Sequence, residues 1–247
     1  MSSYLTISET SATINVSTDD WEIEFDEAKG GVIDKWCQGG GSTNYASSAD
    51  GLWTVGGNKS SNDPWLHGAT SSTMAVLEQS PLRCIVMFTG EVGNYSGQDY
   101  ELYYTIYPSG YIHIDFTWTN NTGGGISYYD YNWHRLKTDT TNYTNDSPVL
   151  DDSDASPTYN SQFWYGMSSS DAIDSVFFYV QYIDDADAQQ NYGATDANIA
   201  RYQRDNTHTI TDGQSYRMIG ALYIGGSESS EAAIEADGDF LRYKYIP

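Results

Sequence analysis

The strongest constraint on the fold lies in residues 100–120, Y-E-L-Y-Y-T-I-Y-P-S-G-Y-I-H-I-D-F-T-W-T-N. Side chains alternate with a period of two on both sides of the P-S-G triplet at 108–110, the pattern of two half-buried strands joined by a tight turn. In the second strand Ile112, Ile114, Phe116 and Trp118 share one face, and Tyr111, His113, Asp115 and Thr117 the other. In the first, Leu102, Tyr104 and Ile106 match the inner set, which leaves Glu101, Tyr103, Thr105 and Tyr107 outside. An apolar face of this kind needs a second layer to cover it, so the hairpin already demands a sheet packed on a partner.

Similar short runs fall at 12–17, 20–26, 31–36, 73–79, 82–92, 174–182, 206–211, 214–224 and 240–245, separated by Gly, Asn, Asp and Ser. After the hairpin, N-N-T-G-G-G at 120–125 leads into Y-Y-D-Y-N-W-H-R-L-K at 128–137, read as a third strand beside 111–118. No amphipathic helix is evident. The stretch from Asp184 to Arg204 has too few apolar residues to bury a helical face and reads as a long loop, with at most a short helical turn. About a dozen strands without a linker predict an all-β chain, a single domain over 1–247 built as a large two-sheet antiparallel sandwich.

Two segments carry a family resemblance. W-E-I-E-F-D-E-A-K-G-G-V-I-D-K-W at 21–36 is a strand ending in Phe-Asp, a Gly turn and a strand running toward a Gly-rich loop; Y-T-I-Y-P-S-G-Y-I-H-I-D-F-T-W-T-N at 104–120 is the central hairpin. Together, over about residues 12–136, they resemble the galactose-mutarotase-like β-supersandwich, including the sandwich domain at the C-terminal end of large β-galactosidases. The resemblance implies a twisted sandwich whose concave face often holds sugar. That fold hosts mutarotases, lyases and non-catalytic modules alike, so it leaves function open.

The charge balance narrows the partners. Eleven Lys plus Arg stand against 34 Asp plus Glu, a formal net charge of −23 with a pI near 4.1. The acid is dispersed, from Asp19-Asp20 to Asp237 and Asp239, as on proteins adapted to high salt, where screening relieves self-repulsion. In composition the chain resembles surface proteins of viruses of halophilic archaea. Phosphate neutralisation needs clustered bases, so nucleic acid is a poor partner and an anionic membrane surface is disfavoured. No apolar run is long enough to span a bilayer, and the N-terminus lacks the basic and apolar regions of a signal peptide. An extracellular or virion-surface location is expected, reached after signal removal or without secretion.

Cys37 and Cys84 permit one disulfide, or two buried free thiols. No cofactor is expected. Asp237 with Asp239, or Asp152 with Asp154, offers oxygen ligands to Ca²⁺, although no D-x-D-x-D-G loop occurs. The four histidines are too dispersed for zinc.

The candidate chemistry centres on 128–137. Strict alternation places Tyr128, Asp130, Asn132, His134 and Leu136 on one face, and Arg135 and Lys137 on the other. If this strand lies beside 111–118, then His113 and Asp115 join Asp130, Asn132 and His134 on one polar face, with Tyr103 at hand. Two imidazoles, two carboxylates and an amide make a legitimate acid/base site for mutarotation or uronate β-elimination, with His134 or Tyr103 as base or acid and Arg135 or Asn132 to neutralise a uronate carboxylate. The competing reading is a solvent-facing polar surface. With 22 Tyr and 7 Trp, aromatic sugar-binding surfaces are expected at Tyr103, Tyr107 and Tyr111, and at Trp53 and Trp65, aided by Asn132.

These features predict a non-catalytic, surface-displayed β-sandwich from a high-salt environment: a virion turret, fibre or tail component that contacts host glycans or neighbouring subunits as a homo-oligomer. The alternatives are a polysaccharide lyase or sugar mutarotase of the same fold, using His134, His113 and Tyr103 with Asp115 or Asp130, or an accessory carbohydrate-binding domain.

Overall fold

The computed structural model describes residues 4–58, 66–69, 72–128, 130–139, 147–151, 163–168, 175–183, 191–192, 199–204 and 208–226. Among these the chain is all-β, a large antiparallel sandwich; its only helical pieces are three-residue 3₁₀ turns. The first strands, β1 (Thr6–Glu9), β2 (Thr13–Ser17), β3 (Trp21–Asp26) and β4 (Ile33–Gln38), form a four-stranded meander. There follow β5 (Trp53–Asn58), β6 (Thr73–Gln79), β7 (Cys84–Glu91), β8 (Gln98–Ile106), β9 (Tyr111–Asn120), β10 (Ile126–Tyr128) and β11 (Asp130–Lys137). The remainder comprises β12 (Ser147–Asp151), β13 (Phe163–Ser168), β14 (Ser175–Ile183), β15 (Asn191–Tyr192), β16 (Ile199–Arg204), β17 (His208–Ile210) and β18 (Ser215–Gly226).

The largest sheet has eight strands in the order β12-β13-β14-β18-β9-β8-β7-β6. A second four-stranded sheet runs β15-β16-β11-β5, and β10 pairs with β17 alone. Inner faces are apolar as their alternation requires. On β3, Trp21, Ile23 and Phe25 are buried while Glu22, Glu24 and Asp26 face outward. On β8 and β9 the two inner sets expected from sequence are buried without exception. The layers meet in a ring cluster: Phe25 lies 4.7 Å from Tyr104 and 5.7 Å from Phe88, and Trp53 lies 6.1 Å from Tyr104 and 6.4 Å from Phe116. These rings come from β3, β5, β7, β8 and β9, so the meander and β5 cover the inner face of the eight-stranded sheet.

The hairpin between β8 and β9 takes the turn its P-S-G triplet demands. The Tyr107 N–H donates to the Tyr111 carbonyl at 3.0 Å, the Gly110 N–H donates to the Tyr107 carbonyl at 3.1 Å, and Gly110 sits at φ +82°. This is a three-residue loop whose left-handed position favours glycine. The turn is also tied to its surroundings. Ile224 on β18 donates its N–H to the Gly110 carbonyl at 3.0 Å, and the Trp21 indole donates to the Pro108 carbonyl at 3.3 Å.

Two expectations are corrected here, and one alternative left open by the sequence is decided. The 128–137 segment is not the neighbour of 111–118. It divides into β10 and β11; β11 pairs with β5 and β16, while β9 pairs with β8 and β18. The stretch read as a loop at 184–204 contributes β15 and β16, the latter alongside β11 along most of its length. Its backbone pairing is supplied by a strand distant in sequence, which weak local propensity cannot announce. Finally, Cys37 on β4 and Cys84 on β7 belong to different sheets, and both are buried free thiols rather than a disulfide. Burial raises the Cys37 thiol and pushes Cys84 up to about 11, so both stay protonated and unreactive. The predicted strand at 240–245 lies outside the described residues.

Candidate functional site

The outer face of the eight-stranded sheet can be laid out by register. Without a bulge between β7 and β8 or between β8 and β9, opposite residues form rows across the strands. One row is Glu91, Asp99, Thr119 and Ser215; the next is Thr89, Glu101, Thr117 and Arg217. Then come Met87, Tyr103, Asp115 and Ile219, followed by Ile85, Thr105, His113 and Ala221. Tyr107 and Tyr111 close the series beside the hairpin turn, their ring centroids 5.9 Å apart. The face therefore changes character along the strands, from carboxylate and hydroxyl at one end to aliphatic and aromatic at the other. The polar end forms an open trough of about 680 Å³ lined by Thr89, Glu91, Asp99, Glu101, Thr117, Thr119 and Asn121.

Most polar groups at this end are engaged locally. Glu91 accepts the Gly97 N–H at 3.0 Å, Asn121 Nδ2 donates to Asp99 at 2.8 Å, and the Thr119 and Ser215 hydroxyls share a hydrogen bond of 2.8 Å. Arg217 grips Asp115 in a two-point pair, with Nε to Oδ1 at 2.9 Å and Nη2 to Oδ2 at 2.5 Å. That fork occupies both Asp115 oxygens and removes the carboxylate from a free general-base role. His113, one row away, is held below its ordinary pKa by burial; Asp115 opposes that shift and Arg217 adds to it. The imidazole is therefore neutral at neutral pH.

Five basic side chains are each paired with a carboxylate. Lys29 bonds Asp34, Lys35 bonds Glu22, Arg83 bonds Glu78, Lys137 bonds Asp50 and Arg217 bonds Asp115. Each base thus cancels a neighbour, and the surplus acid is left to the surface. Among the described residues no group of three or more His, Cys, Asp or Glu converges to hold a metal ion. The Ca²⁺ candidates Asp152, Asp154, Asp237 and Asp239 lie outside the described residues.

The expected acid/base constellation does not assemble on one sheet. Tyr103, His113 and Asp115 share the outer face of the eight-stranded sheet, whereas Asp130, Asn132 and His134 belong to β11 in the other sheet. A bulge also interrupts β11. Asn132 stands opposite Gly56 and Arg135 opposite Thr54, so two residues of β11 answer one of β5 between them. One extra residue shifts the phase of alternation, and the clean division of Asn132 from Arg135 by odd and even number fails there.

The aromatic set divides. Tyr103 and Tyr107 are half-exposed on the outer face, as a sugar-binding surface requires. Tyr111 occupies that face but is only 6% exposed, packed beside Tyr107 and opposite Tyr223, and presents no ring surface to a ligand. Trp53 is fully buried between Tyr104 and Phe116, because β5 belongs to the covering layer rather than to a loop. Trp65 lies outside the described residues. Sequence reasoning missed Arg217 and the trough. Arg217 meets Asp115 across 102 positions, through a β9–β18 pairing that no local pattern signals. The trough was nearer to hand: alternation in T-G-E at 89–91, D-Y-E at 99–101 and T-W-T at 117–119 places its groups on one face once β7, β8 and β9 form a meander.

No family model matches the sequence, and no curated protein matches it. Solved structures do resemble the fold. A protein assigned as an aldose 1-epimerase from Klebsiella pneumoniae superposes with a TM-score of 0.56 at 9% identity, covering 93% of this chain and 83% of that one. A heparan sulfate lyase from Pedobacter heparinus gives 0.46 at 8% identity, over 92% of this chain and 36% of the lyase. A GH36 α-galactosidase from Geobacillus stearothermophilus gives 0.43 at 6% identity, over 90% of this chain and 41% of the galactosidase. The chain thus spans less than half the length of the latter two. It has a galactose-mutarotase-like β-sandwich fold.

Proposed function

We propose that this protein is a non-catalytic, surface-displayed β-sandwich of a high-salt environment that engages glycan through the outer face of its eight-stranded sheet. In this reading it is a homo-oligomeric turret, fibre or tail component of a virion. The observation that carries the non-catalytic reading is the assignment of His113 and His134 to strands of different sheets, with Asp115 already committed to Arg217. The half-exposed Tyr103 and Tyr107 and the polar trough supply binding chemistry without a matched acid and base. The net charge of −23, with Lys29, Lys35, Arg83, Lys137 and Arg217 each already paired, supports the high-salt setting.

A carbohydrate-active enzyme of the same fold is the second reading. The observation in its favour is the neutral His113, one register step from Tyr103 on the exposed sheet face, a base and an acid in one neighbourhood. Polarimetry of freshly dissolved aldoses, together with ultraviolet detection of unsaturated products from uronate polymers, separates the two. The expected result is no acceleration of either reaction. Turnover that disappears in His113→Ala would replace the binding reading with the enzymatic one.

A further inference from the structure

We propose that the outer face of the eight-stranded sheet takes an uncharged glycan chain laid along β8, from the Glu101 trough to the Tyr103–Tyr107 shelf, and rejects uronate and other anionic polymers. The inference rests on the glycan-binding reading above and specifies its ligand class. Its first support is charge. Glu91, Asp99 and Glu101 line the trough, and the other side chains there are hydroxyls, an amide and Tyr100. Of the described bases at this face, Arg217 is spent on Asp115, and Arg83, beside Tyr107 at the far end, is held by Glu78. A sugar carboxylate entering the trough meets three carboxylates and no available cation, a like-charge contact that opposes binding. Sugar hydroxyls suit the same lining, since carboxylates accept from them and the Thr89 and Thr117 hydroxyls and the Asn121 amide can donate.

The second support is extent. Glu101, Tyr103, Thr105 and Tyr107 stand on one face of β8 and its turn, so the distance from trough to Tyr107 is about 20 Å along the strand. That is longer than a single sugar ring. Ile85 and Met87 on β7 flank Tyr103, giving the shelf an apolar floor suited to the apolar faces of pyranose rings. Tyr107 is backed by the buried Tyr111 ring, so its own ring is held in place rather than free to turn. The face thus offers hydrogen-bonding groups at one end and stacking groups at the other.

The test is a set of neutral tetrasaccharides (cello-, manno-, galacto- and N-acetylchito-) alongside tetragalacturonate and tetramannuronate. Binding is measured by calorimetry in concentrated potassium chloride, and folding of each variant is checked by thermal melting. At least one neutral member is expected to bind, and neither uronate. Tyr103→Ala and Tyr107→Ala should each weaken the neutral ligand about tenfold, the scale of one lost aromatic contact. In the double variant Asp99→Asn with Glu101→Gln, the trough is discharged and uronate binding should appear. Uronate binding by the unmodified protein at a strength equal to the neutral ligand would overturn this inference and leave glycan binding intact. Failure of all six to bind would overturn both. Neutral binding that survives both tyrosine substitutions would displace the site from this face.

Discussion

Two tyrosines four positions apart on β8 illustrate how much a single hydroxyl depends on its partner. Tyr100 and Tyr104 are both inner-face residues, at 2% and 0% exposure. The Tyr100 hydroxyl donates to the Gly30 carbonyl at 3.0 Å, whereas the Tyr104 hydroxyl has no hydrogen-bond partner among the described residues. Burial drives both phenols far above their ordinary pKa, so each is a neutral O–H at any pH the fold tolerates. The energetic consequences differ in sign. Tyr100→Phe leaves the Gly30 carbonyl without its donor and should cost about 1–2 kcal/mol. Tyr104→Phe removes an unsatisfied buried hydroxyl and should be neutral or stabilising by up to about 1 kcal/mol. Denaturant titration of the two variants checks this directly; equal losses in both would mean that the Tyr104 hydroxyl is satisfied in solution. Alternation alone marks both as core residues, but only the approach of the β3–β4 turn tells them apart.

At the scale of elements, that same turn is an instructive joint. Gly30 and Gly31 follow a 3₁₀ turn over Glu27–Lys29 and both adopt positive φ, +68° and +79°. A Cβ on Gly31 would fall 2.3 Å from the Phe88 ring, which β7 places beneath the turn. Gly123, in the loop after β9, has a similar φ of +82° with nothing within 4 Å of a Cβ. The pair separates backbone strain from packing. Gly123→Ala should cost about 1 kcal/mol and Gly31→Ala about 3 kcal/mol, the excess being the displacement of Phe88. Thermal melts of the two variants measure the difference, and equal shifts would show that the Phe88 ring yields freely. The G-G dipeptide was legible as a turn. That it also admits an aromatic ring from another strand was not, because β7 begins more than fifty residues later.

For the whole molecule, charge sets the working conditions. A formal net charge of −23, with Lys29, Lys35, Arg83, Lys137 and Arg217 each already neutralised in a local pair, leaves repulsion among the surplus carboxylates as a standing cost of folding. Potassium chloride shortens the screening length from about 10 Å at 0.1 M to about 3 Å at 1 M. Melting temperature should therefore rise by about 5–10 °C over that range, the equivalent of a few kcal/mol for a domain of this size. A melting temperature that is flat or falls with salt would contradict the high-salt reading.

Much of the architecture follows from local pattern. The β8–β9 hairpin, its P-S-G turn, the inner faces of β3, β8 and β9 and the exclusion of long helices are all written in a period of two, because burial of alternate residues is a property of each strand by itself. Charge and composition likewise belong to the sequence alone. Tertiary structure decided which strands are neighbours. It placed β18 rather than β11 beside β9, gave Asp115 its Arg217, buried Trp53 and Tyr111, and separated Cys37 from Cys84. It also inserted the bulge that breaks the odd–even reading of β11. Pairing between distant strands depends on the fit of whole faces across the core, a sum over many residues that no single segment contains. The outer face of the eight-stranded sheet is the product of both: its residues are set by alternation, and its rows by register.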